Sequence, residues 1–380
     1  MVRRLSASPK NRSLWPRLVR RRQRHHARKI RVQRDQHRQQ QETEQSALPT
    51  LFYLQVVRLL IGLLGASVIG GTVLSLLPAS PLLVQKSPTP IAKKLVKPIV
   101  FQKSNAQLQK KLQQLAAEYP QLELHLSVLN LKNKEAVDLR GTSVIPAAAT
   151  IKIPILIALF QQFDRQQLRL NEQLVLEKSM IAAGNGDMAS QAVGSKFTVL
   201  DSATKMIVNN DNTATNLLIK RLGGQNKLNA QFRSWGLANT TIKTPLPDFA
   251  GTNVSSPREL AELLQRIDQD SLLTATSRRQ VLEILGKTKT NRNTMLPWGL
   301  EPKTKIAHKT GDIADLVADV GLIELPDSQK YVVAALVIRP SGDEQAIELI
   351  QKSSKIIYQE YAKPVKAIAA SPSPLAAPVP

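Results

Sequence analysis

The stretch Pro146-Ala147-Ala148-Ala149-Thr150-Ile151-Lys152-Ile153-Pro154 runs into an apolar segment, Ile155 to Phe160. A small-residue entry, one lysine and then unbroken apolar residues predict a buried helix with Lys152 near its start. Working outward, two further stretches stand out. One is Asn209-Asn210-Asp211-Asn212-Thr213-Ala214-Thr215-Asn216, and the other is His308-Lys309-Thr310-Gly311-Asp312, which enters a run of strands. Each alone carries little information, because a lysine one turn into a helix is usually solvated and a Lys-Thr-Gly tripeptide is common by chance.

The segments around them order themselves. Asn105–Glu118 has helical apolar spacing, Leu122–Leu129 alternates as a strand, and Lys132-Asn133-Lys134 supplies the turn into Ala136–Leu139. Helical segments fill the middle. Ser256-Pro257-Arg258-Glu259 has the form of a capping box with proline at the first helical position, opening a helix to about Ile267. Ser277 and Gly286 bracket another. Leu316–Leu325 and Tyr331–Ile338 then read as strands about the turn Pro326–Lys330. A last helix sets Ile347, Ile350, Ser354, Ile357 and Tyr361 on one face. Strands at both ends of the segment can join in one antiparallel sheet. The prediction is an α/β fold: that sheet flanked by helices, plus an all-helical lobe.

Taken together, in this order and separation, the three stretches resemble the class A β-lactamases and related penicillin-recognising serine enzymes, whose motifs are S-x-x-K, S-D-N and K-T-G. The resemblance covers roughly residues 105–360, including the element order. It implies a β-lactamase/transpeptidase-like fold and the family reaction, β-lactam hydrolysis through an acyl-serine. In that chemistry a serine at a helix start attacks the carbonyl, with the motif lysine beside it because residues three apart share a face. The S-D-N serine passes a proton to the leaving nitrogen, and the motif asparagine contacts the substrate amide. The K-T-G strand binds the substrate carboxylate and gives one backbone donor of the oxyanion hole.

Carried over residue by residue, the lysine is Lys152, and three residues before it stands Ala149 where the serine belongs. Alanine has no hydroxyl, so no acyl-enzyme is expected. Thr150 carries a hydroxyl one position on, about 100° around a helix. Asn210 takes the place of the proton-relay serine; an amide hydrogen-bonds but cannot relay a proton as a hydroxyl does. Asp211 and Asn212 match, as do Lys309, Thr310 and Gly311. The backbone N–H of Asp312 is the expected second oxyanion donor. Lys309, Thr310, Gly311 and Asn212 are the expected substrate-binding residues. The family's deacylating glutamate has no counterpart in Thr244–Asn253, where Asp248 is the nearest carboxylate. Ser190, in Gly184–Ser190, lacks a lysine at the required spacing, and its segment reads as the loop rimming the cleft. The expected ligands are a β-lactam or a peptidoglycan stem peptide. Residual hydrolysis without the serine and a purely structural envelope module are the alternatives.

The chain has 380 residues with 52 Lys+Arg against 29 Asp+Glu, a net charge of +23. At 42% hydrophobic residues it supports a substantial core, which excludes whole-chain disorder. With no cysteine there is no disulfide or thiolate chemistry, and of five histidines His25, His26 and His37 lie in the basic tail. No metal and no cofactor is expected. Residues 1–50 carry a net +11, so the charge belongs largely to a tail and does not argue for nucleic-acid binding by the whole protein. Leu59 to Leu77 follows: 19 residues without a charge. As a helix it would span about 28 Å, the width of a bilayer core. The expected organisation is a basic cytoplasmic tail over 1–50, a single transmembrane anchor over 51–78 and a Pro-rich linker over 79–102. The β-lactamase-like domain follows over 103–362, with an Ala/Pro tail over 363–380. The positive flank predicts the plasma (inner) membrane, with the N-terminus cytoplasmic and the domain extracytoplasmic. The sequence does not speak to oligomeric state.

Overall fold

The computed structural model describes residues 103–269, 272–288 and 295–362. The expected tail, anchor and linker over 1–102 and the tail from 363 lie outside the described residues. Among the described residues no helix is long and apolar enough to cross a membrane.

A six-stranded sheet runs β1(Lys103–Ser104), β3(Glu135–Leu139), β2(Glu123–Asn130), β10(Lys330–Ile338), β9(Leu316–Glu324), β8(Lys305–Ile313) in spatial order. Five strands are antiparallel neighbours, and the two-residue β1 adds itself parallel to β3. The predicted antiparallel sheet is therefore mixed at one short edge. The two halves of the chain meet at β2 and β10, with Val128 opposite Val333.

Period-2 alternation explains why both faces are dry. Along β10, Val332, Ala334 and Leu336 point into one core cluster, while Tyr331, Val333, Ala335 and Val337 point into the other. The second cluster packs against α1(Ala106–Ala117) and α8(Gln345–Tyr361). The first packs against the helical lobe: α2(Lys152–Asp164), α3(Val199–Val208), α4(Asn212–Arg221), α5(Gly224–Ser234), α6(Pro257–Asp268) and α7(Ala275–Gly286). Two short pairs, β4(Ile145–Pro146) with β7(Val254–Ser255) and β5(Gln173–Val175) with β6(Lys196–Thr198), brace the crossings between them.

The local signals hold at the helix ends with two corrections. Asn105 caps α1, its side chain accepting from the Leu108 N–H at 2.9 Å, as the spacing predicts. Ser256 caps α6 through the Glu259 N–H at 3.3 Å, but the reciprocal half of the capping box is diverted. Glu259 instead accepts from the Asn239 N–H and the Thr240 hydroxyl, at 2.8 and 2.6 Å, tying α6 to the preceding loop. The cap of α7 is Thr274, not Ser277, whose hydroxyl donates to Asp164 at 2.6 Å.

Candidate active site

The 3₁₀ turn Ala148–Ile151 carries the chain from β4 into α2. Its entry is fixed by the Ala147 N–H, which donates to the Asn253 carbonyl at 2.8 Å. Ala148 then takes φ 46°, a left-handed conformation uncommon for a residue with a Cβ. Backbone of this kind persists where surrounding structure imposes it, and it clusters at functional sites. In a 3₁₀ turn residues three apart eclipse, which aligns Ala149 with Lys152. Pro154 is the third residue of α2, where its missing N–H leaves no helical bond unmade. Residues Lys152–Gln162 are all buried, so Lys152 rides on a central helix of the lobe.

Ala149 is half-buried while its neighbours Ala148 and Thr150 are buried. The Thr150 hydroxyl donates to the Ala147 carbonyl at 2.5 Å and is fully buried. That bond holds the hydroxyl within its own turn.

The second stretch lies at the junction of α3 and α4. Asn210 has φ 56°, a conformation asparagine tolerates better than most residues. Asp211 caps α4, accepting from the Ala214 N–H at 2.8 Å and from the Met188 N–H at 3.0 Å. Asn212 is the first residue of α4; its amide nitrogen donates to the Ala183 carbonyl at 3.0 Å. The Lys152 ammonium donates to the Asn210 carbonyl and Asn210 Oδ1, both at 2.8 Å, and to Asn212 Oδ1 at 3.0 Å. Burial, and Lys309 beside it, push the Lys152 amine well below the usual lysine range, with Asp211 opposing.

The third stretch is β8, the sheet's edge strand. Lys309 is 1% exposed, and its ammonium donates to the Thr310 carbonyl at 2.7 Å. Burial pushes its pKa down to about 8, with Asp319 opposing. Gly311 is where the strand closes on the 3₁₀ turn: a Cβ built there would stand 2.9 Å from the Ala149 nitrogen and 2.9 Å from the Ala148 Cβ. Asp312 pairs with Arg339, which also donates to the Ile313 carbonyl at 3.0 Å. Burial raises the Asp312 carboxyl, opposed by Arg339.

Asn210, Lys309, Thr310 and Asp312 line one cavity of about 830 Å³ together with Asn185, Gly186 and Asp187. Gly186 packs so closely on the Asp211 carboxylate that no Cβ fits. The expected rim loop is thus the observed rim. Ser190 turns back into it, its hydroxyl donating to the Asp187 carbonyl at 2.8 Å. Asp248 is committed to its own loop, accepting from the Thr252 N–H and hydroxyl at 3.0 Å each and from the Asn253 N–H at 2.6 Å.

Two features escaped the sequence. His308 Nδ1 lies 2.8 Å from Asp319, itself fully buried and accepting from the Leu296 N–H at 3.1 Å. This pair braces β8 directly behind Lys309. Its signal was a lone carboxylate inside the apolar run of β9. Asn216 was missed as well: its amide clamps Leu246 on both sides, at 2.6 and 2.9 Å, and so holds the loop carrying Asp248. Among the described residues no cluster of ligating side chains could hold a metal ion.

Residues 107–361 match the family described as the β-lactamase enzyme family. A β-lactamase of Bacteroides uniformis is 24% identical over 234 residues, covering 56% of this chain and 78% of that protein. The extended-spectrum β-lactamase PER-1 of Pseudomonas aeruginosa is 24% identical over 240 residues, covering 59% and 77%. Among solved structures, PBP-A superposes with a TM-score of 0.67 at 42% identity, covering 70% of this chain and 99% of PBP-A. A variant of PBP-A with the same overlap was solved as an acyl-enzyme complex with penicillin G. By its sequence match and by its fold, the chain belongs to the β-lactamase enzyme family.

Proposed function

We propose that this protein binds β-lactams, or the peptidoglycan stem peptides they imitate, without forming an acyl-enzyme. The observation that carries this reading is Ala149. It is aligned with Lys152 by the 3₁₀ turn, its nitrogen faces Gly311 of the Lys-Thr-Gly strand, and it has no hydroxyl. In this reading Ala149 occupies the nucleophile position. Removing the nucleophile of a serine hydrolase lowers turnover by about 10⁶. Neither Thr150 nor Ser190 offers a replacement, since each hydroxyl is bonded to a carbonyl of its own turn. Asp248 does not stand in for a deacylating glutamate either, since its carboxylate closes its own loop.

The binding half of the site supports retention of a ligand. Lys309 offers a buried cation on the cavity wall, and Gly311 keeps the strand against the backbone of Ala149, the arrangement an oxyanion pocket requires. The penicillin complex of PBP-A, at 42% identity, supports a β-lactam as one ligand class. The uncharged run Leu59–Leu77 behind a basic tail supports a single-span anchor that holds the domain outside the plasma membrane.

Calorimetry of the purified chain with benzylpenicillin tests the reading. Saturable binding that Lys309→Met abolishes is the expected result. Steady release of penicilloate by the native chain would overturn it in favour of surviving hydrolysis. Absence of binding would leave the domain a structural module.

A further inference from the structure

Lys152 is surrounded by three oxygens, and what each can do differs. The Asn210 carbonyl, 2.8 Å from Nζ, only accepts. Asn212 Oδ1, at 3.0 Å, is held as an acceptor because the nitrogen of the same amide donates to the Ala183 carbonyl. Those two would satisfy both N–H bonds of a neutral amine. The third, Asn210 Oδ1 at 2.8 Å, asks for a third N–H, which only an ammonium has. A hydroxyl at this position could donate to a neutral amine as readily as it accepts; an amide oxygen cannot. The left-handed backbone at Asn210, φ 56°, brings both of its oxygens onto the same nitrogen.

We propose that Asn210 is a positioning residue that commits Lys152 as a three-way-bonded ammonium, so that restoring a serine at position 149 alone would not restore fast acylation. This rests on the reading of Ala149 as the nucleophile position. Acylation forms an O–C bond, breaks the lactam C–N bond, and moves the hydroxyl proton to the leaving nitrogen through a base. An ammonium whose three N–H bonds are all committed has no lone pair to receive that proton. The charged groups facing Lys152 act in opposite senses: Lys309 from β8 disfavours the charge and Asp211 from the α4 cap favours it. Burial is the largest influence and also opposes the charge, so the acceptor that Asn210 Oδ1 adds works against both burial and Lys309.

Two measurements on the full chain decide it. The first follows Lys152 by NMR of ¹³Cε-labelled lysine in the native chain, Asn210→Gly and Asn210→Ser. Glycine suits the left-handed backbone and removes the oxygen, so a folded comparison is secured. The expected result is a titration midpoint at least about one pH unit lower in Asn210→Gly than in the native chain, a tenfold loss of proton affinity. The second compares covalent labelling by a fluorescent penicillin in Ala149→Ser with and without Asn210→Gly, which frees Lys152 without adding a proton-relaying hydroxyl, as a function of pH. Recovering a general base is expected to raise the labelling rate about 100-fold. Equal midpoints, or equal labelling rates in two Ala149→Ser variants that both label, would overturn the proposal. If neither variant labels, the β-lactam reading of the cleft has failed, and the NMR midpoints alone still uphold or overturn the role of Asn210.

Discussion

Gly311 of β8 stands directly against Ala149: a Cβ added to the glycine would lie 2.9 Å from the alanine nitrogen and 3.4 Å from that of Thr150. Both obstacles are backbone atoms of the 3₁₀ turn, which itself is tied through Ala147 to Asn253. Neither can swing aside as a flexible side chain would.

Gly311→Ala is therefore expected to push the edge strand off the turn. Overpacking of this kind destabilises by about 1–3 kcal/mol. Chemical denaturation should show that loss, and benzylpenicillin should no longer raise the melting temperature of the variant. A variant as stable and as responsive as the native chain would mean that the strand and the turn are not in contact.

The two buried lysines should respond in opposite ways. Lys152→Met leaves three carbonyl oxygens without their donor, and unsatisfied buried groups cost about 1–3 kcal/mol each before relaxation. A loss of about 3 kcal/mol is expected in equilibrium unfolding. Lys309 makes one hydrogen bond, to Thr310, and its burial opposes its charge. Lys309→Met should leave stability unchanged or raise it, while removing penicillin binding. Equal stability losses in the two variants would contradict this division between a structural and a ligand-facing cation.

The depressed pKa of Lys309 sets a pH signature. An unfolded chain holds this proton up to about 10.5, the ordinary value, and the folded chain only to about 8. Between those values the unfolded state binds more protons, so this residue makes folding stability rise with pH. Affinity for an anionic ligand should move the other way, falling above about pH 8 as the cation is lost. Calorimetric titrations from pH 7 to 10 measure the second effect directly, and an affinity that does not fall would remove Lys309 from the ligand site.

Asp248 is a loop-closing residue in this account. Asp248→Ala removes the acceptor for the Thr252 and Asn253 N–H groups and should destabilise by about 2 kcal/mol. Because the Asn253 carbonyl anchors Ala147, the variant should also weaken penicillin binding modestly. Any hydrolysis of a chromogenic cephalosporin that Asp248→Ala abolishes, with the fold intact by circular dichroism, would give Asp248 a catalytic part.

Much of this architecture was legible because it is written in local patterns. The apolar run of β10, the Asn105 cap and the Lys309-Thr310-Gly311 tripeptide each fix a strand, a helix end or a site wall within a few residues. What stayed hidden depends on groups far apart in the chain. Glu259 sits where a capping box needs it, yet serves the Asn239 N–H and the Thr240 hydroxyl, loop donors that the fold brings beside it from about 20 residues away. Asp319 looks like an interruption of β9 until His308 of the neighbouring strand reaches diagonally to it. The left-handed turn at Ala148 has no sequence signal, since alanine does not favour it and only the packing of Asn253 and Gly311 on either side imposes it. The spacing of Lys152 from Ala149 was legible; that Asn210 would supply two of the three oxygens around the lysine was not.

Intact-protein mass spectrometry tests most directly the proposal that this cleft binds a β-lactam without being acylated by it. The native chain and Ala149→Ser are each incubated with benzylpenicillin at several pH values. The account predicts that the native chain never gains the mass of a penicilloyl group while still binding the drug in calorimetry. Ala149→Ser should gain one such group slowly, and a peptide digest should locate it at position 149. A penicilloyl adduct on the native chain would contradict the account.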